Sequence, residues 1–141
     1  MAAWIGFSLI AVVLFGLTGV TQKLSTNNIS TEFSFLGFSL AFVGISLVLW
    51  LWFPLDLHLQ GSVLALGLLG GALNGFGALT SFAAFEAGGA ASLVMPIISL
   101  YPLVTVLCAK LFLGEQITPS QWLGVLLAPI AAWLLSSESS E

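Results

Sequence analysis

Arginine is absent from this chain, and two lysines are its only Lys or Arg side chains. With six acids and one histidine they give a formal net charge of -4 and a charged fraction of 6%, against roughly 25% in soluble domains. A water-soluble fold of 141 residues must cover its surface with polar groups, and this chain holds too few. The acidic balance argues against a nucleic-acid partner. The single cysteine, Cys108, lies in an apolar run. It offers neither an intrachain disulfide nor a cysteine metal site, and it reads as a small packing residue. His58, the sole histidine, falls in the short polar link Asp56–Gln60 and reads as a solvated loop residue rather than a ligand. There is no Ser-His-Asp set, no carboxylate pair at workable depth and no cluster of metal ligands. Enzyme chemistry, a metal and an organic cofactor are therefore not expected.

Apolar residues take the place of what is missing: 59% of the chain is hydrophobic and the mean hydropathy is +1.14. The solvent that suits such a chain is lipid. Each crossing of a hydrocarbon core about 30 Å thick takes roughly 20 residues, so five crossings with short loops use up the length. The expected fold is all-α, a polytopic membrane protein with a bundle of about five transmembrane helices and no soluble domain. The spans fall near residues 4–21, 33–53, 62–85, 92–113 and 119–135, forming one transmembrane unit over 1–135, and residues 136–141 form a polar, acidic tail.

Local signals support these limits. The first apolar stretch, from Trp4, has no basic leader and no small-residue cleavage site, so it reads as a retained helix. Trp50, Trp52 and Pro54 close the second span, where indoles favour the headgroup level. Glu86-Ala87-Gly88-Gly89 makes a tight turn after the third. Thr118-Pro119-Ser120-Gln121 reads as a capping box opening the fifth, with proline at the first helical position.

Within a bilayer the informative residues are those that are not greasy. In the third span Gly67, Gly71, Asn74, Ala78, Ser81 and Phe85 recur at helical spacing on one face, with Asn74 near mid-depth. Ser8, Ala11, Phe15, Thr18 and Gln22 form a similar stripe in the first span, and Ser92, Pro96, Ser99, Val106 and Lys110 a looser one in the fourth. Gly67, Gly71 and Gly75, and again Gly124, Ala128 and Ala132, are ladders expected to pack helices closely. An amide at the depth of Asn74 needs a partner or a wet cavity. Pro96 and Pro102 each remove a backbone donor and are expected to kink the fourth span. Lys23, Glu86 and Lys110 lie near span ends, where long side chains reach water. The first span holds no acid, unlike the small multidrug resistance transporters, whose cation exchange rests on a carboxylate there.

The run Leu79-Thr80-Ser81-Phe82-Ala83-Ala84-Phe85-Glu86, followed by Gly89-Ala90-Ala91-Ser92-Leu93-Val94, resembles the segment joining helices three and four of EamA-type domains in the drug/metabolite transporter superfamily. Ser99-Leu100-Tyr101-Pro102-Leu103-Val104, then Leu113-Gly114-Glu115-Gln116 and Gln121-Trp122-Leu123-Gly124, are similar to that family's proline-containing fourth helix, Gly-Glu turn and fifth helix. The first span, with Gly16, Gly19 and Lys23, resembles its first helix. Glu86 departs from the basic or neutral residue many members carry there.

The resemblance implies a five-helix unit of a metabolite or drug secondary transporter in a bacterial cytoplasmic (inner) membrane. Members usually carry two such units, and this sequence holds one. A half-size unit is expected to act as an antiparallel homodimer or with a paralogue, its partners otherwise being the lipid bilayer and a small-molecule substrate. Path candidates are Thr18, Gln22, Asn74, Ser81, Ser99 and Tyr101. The other reading is a non-transporting accessory subunit of a membrane complex or lipid-carrier flippase.

Overall fold

A computed structural model describes residues 3–54 and 61–137. His58 and the Asp56–Gln60 link lie outside the described residues, as do residues 138–141 of the expected tail. All regular structure among the described residues is helical, and five stretches are long and apolar enough to cross a membrane. Helices α1 (Ala3–Thr26), α2 (Thr31–Trp52) and α3 (Gly61–Glu86) each make one stretch. The fourth, Ala91–Leu113, is assembled from α4 (Ala91–Ile98), α5 (Tyr101–Cys108) and a π-helical turn over Ala109–Leu113. Helix α6 (Pro119–Ser137) is the fifth and continues through Ser136 and Ser137.

The chain forms two compact units, Val20–Gly88 and Met1–Gly19 with Gly89–Glu141, so that α1 runs from one into the other. In the first unit α2 packs on α3. Phe82 stands edge-on to Phe35 and Phe38, with ring centroids 6.5 and 5.8 Å apart, and Phe38 meets Phe42 at 4.8 Å. Lipid tails are as apolar as leucine, so such contacts act through packing and ring geometry, about 0.5–1.5 kcal/mol for each aromatic pair. In the second unit α4 packs on α6. The Met95 side chain of α4 lies against buried Gly19 of α1, where an added Cβ would stand 2.5 Å from Met95 Cγ.

Exposure is inverted relative to a soluble protein. Trp52, Leu51 and Phe112 are 79%, 77% and 82% exposed, whereas Gln22, Thr31, Ser34 and Ser81 are buried. That is the arrangement a hydrocarbon solvent selects.

The fourth stretch breaks at Ser99-Leu100. Pro96 lies inside α4, while Pro102 sits in the first turn of α5, where its missing N–H costs least. The Ser99 N–H donates to Met95 at 2.8 Å and the Leu100 N–H to Ile97 at 3.2 Å. Ser99 Oγ donates to the Pro96 carbonyl at 2.7 Å. The π-helical turn ends at Gly114, whose φ of 67° suits glycine. Across the following turn the capping box forms, the Thr118 N–H donating to Gln121 Oε1 at 2.7 Å and the Gln121 N–H to Thr118 Oγ1 at 3.4 Å.

The ladder glycines have open space around them. A Cβ on Gly67, Gly71 or Gly124 would meet nothing within 4 Å, and one on Gly75 would meet only Phe35 Cζ at 4.0 Å. Among the described residues, Gly75 faces the Phe35 ring of α2 and Gly124 faces the groove beside α5. The crowded glycine is Gly19, covered by the Met95 side chain. Cys108, expected to be a packing residue, is exposed.

Candidate functional site

Six polar side chains of the three-helix unit gather at one end. Gln22 and Lys23 lie in the last turns of α1, Thr31 and Ser34 in the first turn of α2, and Ser81 and Glu86 towards the end of α3. The phase of the first-span stripe explains part of this. Along α1, Ser8 and Phe15 are exposed, Thr18 half-buried and Gln22 buried. Ser81 Oγ lies 3.1 Å from Gln22 Oε1 and 2.7 Å from the Ala78 carbonyl. A hydroxyl has one proton. If it goes to the nearer Ala78 oxygen, a half-turn of the Gln22 amide lets its NH₂ donate to Ser81 Oγ.

Two charges serve helix ends. The Thr31 N–H, one of the orphan donors at the start of α2, donates to Glu86 Oε2 at 2.9 Å. An acid belongs at this positive end of a helix dipole. Lys23 Nζ donates to the Phe85 carbonyl at 3.1 Å, at the C-terminal end of α3 where a cation belongs. The Ser25 and Ser34 hydroxyls are hydrogen-bonded at 2.7 Å, joining α1 to α2. Thr31 Oγ1 is buried without a hydrogen-bond partner.

Depth separates this cluster from the remaining candidates. At 1.5 Å rise per residue, Gln22 and Ser81 lie roughly 6–8 Å inside their helix ends. Asn74 lies near the middle of α3, exposed, and no described residue hydrogen-bonds its amide. Of the path candidates the structure therefore brings together Gln22 and Ser81. Thr18 is one turn deeper on α1 and its hydroxyl donates to the Leu14 carbonyl at 2.9 Å.

In the other unit Ser99 marks the break and Tyr101, 63% exposed, opens α5. Ala128 and Gly124 line an apolar groove of about 270 Å³ with Pro102, Leu103, Val106 and Gln121. Lys110 Nζ stands 5.0 Å from the Trp122 ring centroid, a cation–π contact. No group of three His, Cys, Asp or Glu residues suited to a metal ion occurs among the described residues.

Reading the sequence missed the capping of α2 by Glu86, which joins positions 55 apart and leaves no local pattern. It also passed over Pro129 inside α6, which a scan for proline in apolar runs would have found.

Residues 2–137 match the EamA-like transporter family. No curated protein and no solved structure matches the chain.

Proposed function

The chain belongs to the EamA-like transporter family, and from that premise we propose that it is a subunit of a metabolite or drug secondary transporter acting as a dimer of five-helix units. The second unit is a copy of opposite orientation or a paralogue, and the site of action is a bacterial inner membrane. The observation that carries this reading is the break of the fourth stretch at Ser99-Leu100, between Pro96 and Pro102. Interrupted helices supply the hinges and free carbonyls on which secondary transporters rely, whereas a passive structural helix gains nothing from losing backbone bonds in lipid. The path candidates are Asn74 on α3, Ser99 at the break and Tyr101 at the start of α5. Gln22 and Ser81 would seal the end of the helices that carry them.

Purified protein in proteoliposomes tests the reading with a panel of labelled amino acids, nucleosides and cationic dyes under an imposed proton or sodium gradient. Gradient-dependent uptake of at least one class, lost on Asn74→Leu, is the expected result. No flux across the panel, with obligatory co-purification of unrelated subunits, would overturn it in favour of an accessory subunit.

A further inference from the structure

We propose that whatever this chain carries crosses mid-membrane without net charge, so that a solute driven by a cation gradient is a monovalent anion taken together with one proton or sodium ion. The inference rests on the transporter reading above and names its substrate class. Three observations lead to it.

The first is where the charges are. Residues 3–22, 33–52, 61–85, 91–109 and 119–137 hold no Asp, Glu, Lys, Arg or His, and a crossing takes roughly 20 residues. Lys23 lies three residues from the end of α1 and Lys110 three from the end of the fourth stretch, about 4.5 Å along a helix axis. Glu32 is the second residue of α2 and Glu86 the last of α3. Glu115 follows the π-helical turn. In sequence, Asp56 and His58 fall between α2 and α3, and Glu138 and Glu141 after α6. The interior of every span is uncharged, and a second copy of the chain brings nothing different.

The second observation is that the charges nearest the interior are tied to helix ends. Lys23 Nζ donates to the Phe85 carbonyl at 3.1 Å, Lys110 Nζ stands 5.0 Å from the Trp122 ring centroid, and Glu86 Oε2 accepts the Thr31 N–H at 2.9 Å. Drawing any of them inward to meet a solute would break that contact and take the charge into hydrocarbon. None is placed to travel with the solute as its counter-charge.

The third is what the interior offers instead. Asn74 on α3 presents an amide, a donor and an acceptor without charge. In the fourth stretch, the Ile98 carbonyl faces the N–H that Pro102 lacks. The break there also sets the negative end of α4 beside the positive start of α5, half-charges of opposite sign that cancel. Such groups can hold a neutral pair, but they leave a lone ion uncompensated. An ion without a counter-charge at mid-depth is disfavoured roughly 70- to 400-fold on insertion scales. A proton or sodium ion alone meets that barrier, and so does an organic anion alone. Together, as a protonated acid or an ion pair, they do not. Where a span holds an Asp or Glu, that residue can neutralise the driving cation. Here the solute must bring the negative charge itself.

Purified protein in proteoliposomes tests this with labelled glutamate and lactate as monovalent anions, leucine as a zwitterion, uridine as a non-ionic solute, and a cationic dye. A proton or sodium gradient is imposed, and the membrane potential is set independently with potassium and valinomycin. Uptake of an anion that depends on the cation gradient is the expected result. Its accumulation should change by less than about twofold under a potential of about 100 mV of either sign, against about 50-fold for one net charge. Uptake confined to leucine, uridine or the dye, or accumulation that follows the potential, would overturn the proposal and leave the transporter reading standing. No flux of any solute would remove both.

Discussion

Gly19 is the residue at which one added methyl group meets resistance. Its Cβ would stand 2.5 Å from Met95 Cγ and 2.6 Å from Met95 Sδ. Gly19→Leu is expected to lower stability in detergent by about 1–3 kcal/mol, the range for overpacking. Met95→Ala should relieve much of that loss when combined with it, since the two residues are in direct contact. Thermal melts of the two single variants and the double variant measure the coupling, and strict additivity would show that the contact is not what costs. Glu86 makes a second residue-scale case. Because its carboxylate accepts the Thr31 N–H, Glu86→Ala should destabilise the three-helix unit by about 1 kcal/mol, the typical value of a helix N-terminal cap. Glu86→Gln keeps an acceptor oxygen and should retain most of the stability. Equal losses in the two variants would mean that charge against the helix dipole, rather than the hydrogen bond, matters here.

At the scale of elements, the break between α4 and α5 carries the strongest expectation. Pro102→Ala restores an N–H that can reach the Ile98 carbonyl and favours a continuous helix. It should leave the melting temperature unchanged or raise it, and it should slow transport at least several-fold if the break is a hinge. Unaltered flux in a more stable variant would show that the break is not needed for movement. How far such elements were legible beforehand differs by kind. Five spans and the Thr118–Gln121 capping box could be read from the chain, because hydropathy and capping are local patterns that lipid and the helix end enforce directly. The two prolines announced trouble in the fourth span, yet only the structure places the break at Ser99-Leu100 and turns Pro102 into the start of a helix. The glycine ladders were legible as small faces but not as contacts of a particular helix. A missing side chain says that something comes close without saying what. Gln22 and Ser81 were each visible as polar residues on a stripe, but their meeting joins positions 59 apart. Lys23 reaching Phe85 is equally non-local.

For the whole molecule, orientation in the membrane is a matter of which side holds Lys and Arg, since acids contribute little. With five crossings, Lys23 at the end of the first falls on the side opposite residue 1, and Lys110 at the end of the fourth falls on the same side as residue 1. One lysine on each side supplies almost no orienting force. The structure ties each of them to its own end, Lys23 to the Phe85 carbonyl and Lys110 to the Trp122 ring. The expected outcome is insertion in both directions. Paired C-terminal reporters, one active only in the cytoplasm and one only outside it, should both give signal in cells lacking a paralogue. Signal from one reporter alone would sink an oppositely oriented homodimer and require a partner of the other orientation. The balance should also be easy to tip. Lys23→Ala leaves Lys110 as the sole Lys or Arg side chain and should draw its side, with residue 1, into the cytoplasm. Lys110→Ala should do the reverse. If transport requires one copy of each orientation, either variant alone should lose most activity, and coexpression of the two should restore it.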